Sequence, residues 1–139
     1  MQTCGIGLNG VSDAFDSDAL IYAANDLPGG AAIAALVQSL DDPIGSVLLM
    51  PEVLSKPIRR EDAIEEVALV GLLNHFDLKA VDLQIADAAT TLGAKYGLRA
   101  ADAVHLATAV IWGAERFHTN NRKDFGPHIT EVEVVWPEG

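Results

Sequence analysis

The 139-residue chain predicts an α/β fold, a three-layer α/β/α sandwich around a central, mostly parallel sheet. Three observations carry this. Short apolar runs alternate with helix-patterned stretches, the arrangement that lets crossover helices join parallel strands. Half of the residues are hydrophobic and 21% are charged, a composition that supports a packed core. The length suits one domain at roughly 150 residues per domain. Residues 1–10 are small, uncharged and glycine-rich and are expected to form a disordered leader; residues 11–139 are expected to form a single domain.

The leader contains Gly5-x-Gly7-x-x-Gly10, formally a dinucleotide fingerprint. That pattern works only between a strand and a helix. Too little chain precedes Gly5 for a strand, and a strand pattern follows Gly10, so no cofactor role is assigned to it. Val11–Phe15 alternates apolar and polar residues and reads as the first strand, ending at Asp16, with a helix over Ala19–Asn25. Gly29-Gly30 precede an alanine-rich helix through Leu40, stopped by Asp41-Asp42-Pro43, since proline restrains its predecessor and lacks an N–H. Gly45–Met50 is an apolar run suited to a buried parallel strand. A helix is expected over Glu61–His75, with Ile64, Val67, Ala68 and Leu72 at helical spacing, then a strand over Asp77–Val81. Asp82 caps a helix bearing Ile85, Ala89 and Leu92 that ends near Gly97. Ala100–Trp112 reads as another helix, Arg116–Thr119 as a strand and Glu131–Trp136 as the last strand.

Charge restricts the function classes. Twenty acidic residues against nine basic ones give a formal net of −11, and no Lys or Arg precedes Lys56. Such a field repels polyanions, so nucleic acid cannot be held by general electrostatics; a bound metal or a local basic rim is required. The single cysteine, Cys4, cannot form an internal disulfide, which fits a reducing compartment. No signal-peptide pattern and no apolar run near 18 residues is visible, so a cytoplasmic protein without a membrane partner is expected.

In open parallel sheets, sites lie beyond the carboxyl ends of the strands, where strand order reverses. Asp16 stands at such an end. Asp18, two residues on, reads as the cap of the following helix. Glu52 follows the second strand and serves either chemistry or a helix start. Asp102 sits among small and apolar residues in Arg99–Ala107, where burial demands a partner unless it caps the first turn. His105 shares its helical face and reads as a packed histidine bonded to backbone or to Asp102 rather than as a metal ligand. Thr119–Phe125 places hydroxyl, amide and carboxylate groups after another strand. Trp112 and Trp136 read as core or interface fillers rather than base-stacking platforms. Clustered acids persist only if protonated or neutralised by a cation. Oxygen-only donors favour Mg²⁺ or Mn²⁺ over zinc.

These residues carry a resemblance. Phe15-Asp16-Ser17-Asp18-Ala19-Leu20-Ile21, the segment Val47–Pro57 with Glu52, Gly97–Ala109 with Asp102, and Phe117–Phe125 resemble the four motifs of PIN domains, in particular the VapC-type ribonuclease toxins. The resemblance implies a metal centre of Asp16, Glu52 and Asp102 holding Mg²⁺ or Mn²⁺, with Thr119 lining it. It implies hydrolysis of RNA by metal-activated water, leaving a 5′-phosphate and a 3′-hydroxyl, together with an antitoxin protein partner and a homodimer. Asn121 stands where the family usually has Asp; its amide brings no charge and cannot act as a base, and Asp124 is the candidate substitute. Lys56, Arg99 and Arg122 are the expected RNA contacts, within a wider set of basic residues near the motifs (Arg59, Arg60, Lys95, Arg116 and Lys123). Two other readings stand beside this one. Asp16-x-Asp18 after a strand also opens haloacid-dehalogenase-type phosphatases, with the first Asp as nucleophile and the second as acid/base, although Leu20 stands where Thr or Val is usual there. A non-catalytic PIN-like binding module would account for Asn121.

Overall fold

A computed structural model describes residues 12–25 and 27–137. The expected leader, with Cys4 and its glycine pattern, lies outside the described residues. β1 (Asp13–Phe15) leads into α1 (Ser17–Ala24) and α2 (Gly30–Ser39), and β2 (Ile44–Ser46) into α3 (Leu49–Arg59) and α4 (Ala63–Leu73). β3 (Asp77–Lys79) leads into α5 (Leu83–Tyr96) and α6 (Ala100–Ile111), followed by β4 (Arg116–His118) and β5 (Glu133–Val135). The sheet order is β3-β2-β1-β4-β5 and every pairing is parallel.

Side chains along a strand alternate between faces, and that alternation divides the core in two. Ala14 lies opposite Ile44 and Phe117 in the register and joins them against Leu92, Leu106 and Phe125 on the α5–α6 side. Phe15 points the other way and packs with Leu20, Val37, Leu49, Val53 and Leu69 of α1 to α4. The result is helices on both faces of one sheet.

Carboxylates open three of the helices. Asp16, Asp62 and Asp82 accept hydrogen bonds from the backbone N–H of Ala19, Glu65 and Ile85, each satisfying a donor that the first turn leaves unpaired. α5 stops where Gly97 takes a left-handed conformation at φ 68°, which costs a residue without a Cβ little.

Two expectations are corrected. The run Gly45–Met50 is not one strand: β2 ends at Ser46, whose hydroxyl accepts from Leu48 N–H at 3.1 Å and turns the chain into α3. Beyond the alternative of a helix start at Glu52, the sequence reading has no counterpart to α3, which contains two prolines. Pro51 occupies the first turn, where no helical hydrogen bond is lost, and Pro57 falls near the end. In α4 the buried residues are Leu69, Leu72 and Leu73, whereas Ile64 and Val67 are 86% and 70% exposed. Packing against α1 and α3 selects the leucine face over the neighbouring stripe.

Candidate active site

Strand order reverses at β1, with β2 on one side and β4 on the other, so a crevice forms beyond their carboxyl ends. Asp16 follows β1 and is buried, outside the set of residues that line the cleft. Its backbone N–H bonds to His118 O at 3.1 Å, joining the end of β1 to β4. One carboxylate oxygen accepts from Ala19 N at 3.0 Å and the other from the Thr119 hydroxyl at 2.6 Å. The residue is 1% exposed. Burial pushes its carboxyl up to about 7, against the opposing pull of the Thr119 and Ala19 hydrogen bonds. Asp16 therefore caps α1, the role the sequence suggested for Asp18.

Asp18 faces an open cleft of roughly 450 Å³ above it, lined also by Glu52, Asp102, Asn121 and Asp124. Glu52 lies in the first turn of α3 and Asp102 in that of α6, so the two come from segments far apart in the chain. The carboxylates repel one another. Burial raises the Asp102 carboxyl first, then the charges of Asp18, Asp124 and Glu52 add to it. Asp18 is raised by burial, then by Glu52 and Asp124. Glu52 goes the other way, lowered chiefly by a hydrogen bond with His105. His105 is 2% exposed and its Nε2 meets Glu52 Oε1, joining α6 to α3.

Asn121 is occupied in orienting its neighbours. Its Nδ2 donates to Asp124 Oδ2 at 3.0 Å, and its Oδ1 accepts from Asp124 N at 3.2 Å. Its own N–H donates at 2.9 Å to the Thr119 hydroxyl that in turn donates to Asp16. One chain of hydrogen bonds thus runs from Asp16 through Thr119 and Asn121 to Asp124. Thr119 is fully buried, so its hydroxyl acts on Asp16 rather than on the cleft.

Of the basic residues considered from sequence, Arg99 and Lys123 line the cleft. Lys56 is exposed one turn beyond Glu52 and is not part of the lining, and Arg59 and Arg60 are exposed at the end of α3. Arg122 is turned away: it donates to Pro137 O at 2.6 Å and lies 5.1 Å from the Trp136 ring. Lys95 pairs with Glu131, and Arg116 pairs with the buried Asp13 beside His118. Trp136 is partly buried, with its indole N–H on Phe125 O, while Trp112 is 49% exposed under Lys79.

Two site residues were not assigned to the cleft from sequence, Asp18 and the Glu52 partner His105. The Asp16-x-Asp18 spacing at a helix start and the one-turn step from Asp102 to His105 were the available signals. Among the described residues, no three His, Cys, Asp or Glu side chains converge closely enough to hold an ion by themselves. The donor chemistry nevertheless fits Mg²⁺ or Mn²⁺. Mutually repelling carboxylates around an open cleft are what such an ion neutralises, and Mg²⁺ takes one or two carboxylates while keeping several waters.

The PIN-domain family model matches residues 14–126. Among solved structures, a toxin–antitoxin complex from Klebsiella pneumoniae shares 26% identity at a TM-score of 0.70, covering 88% of this chain and 99% of that one. VapBC2 from Rickettsia felis, bound to a promoter DNA fragment, shares 15% identity at a TM-score of 0.72, covering 92% and 100%. Mycobacterium tuberculosis VapC20, a toxin that cleaves the sarcin-ricin loop, shares 15% identity at a TM-score of 0.68, covering 88% and 99%. The search of curated proteins gave no significant match. With the family model spanning β1 to the segment after β4, and the parallel sheet and acidic crevice in the same stretch, the chain belongs to the PIN-domain family.

Proposed function

We propose that the protein is a Mg²⁺- or Mn²⁺-dependent endoribonuclease, the toxin of a toxin–antitoxin pair. The observation that carries the reading is the gathering of Glu52, Asp102 and Asp124 from three separate segments around one cleft, with Arg99 and Lys123 at its edge. Glu52 and Asp102 would hold the ion, with Asp16 beneath them. When bound, such an ion lowers the pKa of water and neutralises phosphate charge. Arg99 and Lys123 supply cations for the phosphate oxygens of a single strand. Asp124, held by Asn121, is the group available to accept the proton of the attacking water. The products are a 5′-phosphate and a 3′-hydroxyl.

The antitoxin partner and the homodimer belong to the same proposal. Support comes from the solved neighbours, several of which are toxin–antitoxin complexes. The proposed location is the cytoplasm; no helix among the described residues is long and apolar enough to cross a membrane. The phosphatase reading loses ground, because both oxygens of the buried Asp16 are engaged and neither is available as a nucleophile. The binding-module reading rested on Asn121, whose amide is accounted for by its bonds to Asp124.

A labelled single-stranded RNA tests the proposal. Cleavage is expected with Mn²⁺, abolished by EDTA and reduced about 10²-fold or more by Asp102→Asn. Intact RNA across diverse sequences, or cleavage that persists in EDTA, would refute it.

A further inference from the structure

We propose that His105 is a positioning residue for Glu52: its imidazole N–H fixes one carboxylate oxygen so that the other is presented to the cleft. This rests on the reading of Glu52 as a metal ligand. The His105 side chain is wholly buried, whereas that of Glu52 is 31% exposed. The buried partner therefore belongs to the fold and the exposed one to the cleft. His105 Nε2 meets Glu52 Oε1, and His105 Nδ1 is buried with no hydrogen-bond partner among the described residues.

That asymmetry assigns the proton. An ionised carboxylate only accepts hydrogen bonds, so the nitrogen facing it must donate. A proton on Nδ1 instead would leave a buried donor unmatched and two acceptors face to face. Nε2 thus carries a proton, with a single direction for its donor. The helical step from Asp102 to His105 gives this further meaning. α6 presents Asp102 to the cleft and, one turn deeper, the group that orients Glu52 from α3. Two candidate ligands on separate helices are tied to one rigid element. Hydrogen-bonding partners of metal-binding carboxylates commonly set affinity by about 10–100-fold.

The test is a double-mutant cycle on the full chain, read as Mn²⁺ affinity by calorimetry and by electron paramagnetic resonance of free Mn²⁺. His105→Leu fills the space without a donor and is expected to weaken binding about 10–100-fold. His105→Gln, whose amide N–H can reach Glu52, is expected to recover most of the loss. In a Glu52→Gln background, His105→Leu should cost nothing further, since its target is gone. Affinity unchanged in His105→Leu, or lost equally in both backgrounds, would overturn the role of His105 while leaving the metal reading standing. No Mn²⁺ binding by the wild-type chain would overturn the metal reading itself. A second measurement does not depend on the variants folding. Long-range ¹H–¹⁵N spectra of the wild-type imidazole should show a proton on Nε2, and an Nε2 without one would overturn the assignment.

Discussion

At Asp16 the fold places a carboxylate out of reach of water, and its proton equilibrium moves with it, from 3.8 to about 7. The folded state binds that proton more tightly than the unfolded chain. The contribution of this group to stability is therefore most favourable below about pH 4, declines as pH rises, and levels off above pH 7. Asp16→Asn removes the penalty: its amide oxygen can still accept from Ala19 N–H, and the Thr119 hydroxyl can accept from the amide. In urea unfolding of metal-free protein, the variant should exceed wild type by on the order of 2–4 kcal/mol at pH 8 and converge with it near pH 4. Equal stability at pH 8 would show that Asp16 carries no such burden. Asn121 makes the complementary case. Asn121→Asp loses the donor to Asp124 and sets two carboxylates about as close as the present 3.0 Å contact. Metal-free protein should lose about 1–3 kcal/mol, while Mn²⁺ affinity rises because the added charge faces a cation. Chemical denaturation in EDTA and a Mn²⁺ titration read the two effects separately.

Helix packing sets where these residues stand, and glycines report on it with opposite signs. A Cβ on Gly30, at the start of α2, would lie 2.6 Å from the Tyr22 carbonyl oxygen of α1, so only glycine lets the two helices approach this closely. Gly71, inside α4, would meet nothing within 4 Å. Denaturant midpoints should show Gly30→Ala destabilised by about 1–3 kcal/mol and Gly71→Ala stabilised by up to about 1 kcal/mol. The same scale explains what the sequence made legible. The strands apart from the extent of β2 were readable, as were α5 and α6, because Asp82, Gly97 and the Ala100–Trp112 pattern are local signals. So was the placing of Asp16 and Thr119 after strands. α3 was not, because its start depends on one hydroxyl, that of Ser46, turning an apolar run away from the sheet. The Glu52–His105 pair was hidden for a related reason: its partners lie 53 residues apart, and without α3 Glu52 had no helix from which to meet α6. In α4 two apolar stripes compete, and only tertiary packing decides between Ile64 with Val67 and Leu69 with Leu72 and Leu73.

Across the molecule, the proposed RNA substrate has to be reconciled with a net charge of −11, and the placement of the cations makes the reconciliation quantitative. Nine basic residues are present, but Lys79, Lys95, Arg116 and Arg122 are engaged with Asp77, Glu131, Asp13 and Pro137, and only Arg99 and Lys123 line the cleft. Two phosphate contacts on a single strand imply a slope of log affinity against log salt of about −1.4, roughly a sevenfold loss between 50 and 200 mM. On the proposed function, an ion held by the acidic cleft would supply most of the attraction, since charge there is screened less than charge on the surface. RNA binding measured by fluorescence anisotropy in Ca²⁺, chosen to hold the acidic site without supporting fast cleavage, should show this shallow slope. Arg99→Gln combined with Lys123→Gln should flatten it towards zero, and EDTA should remove binding in both proteins. A slope near −3 or steeper would instead recruit Lys56, Arg59 and Arg60 on α3 and move the RNA path off the cleft towards that helix. A slope unchanged by the double substitution would locate the phosphates away from Arg99 and Lys123 altogether. The outcome thus decides whether the proposed RNA path runs over the acidic crevice and the proposed metal or along the basic end of α3.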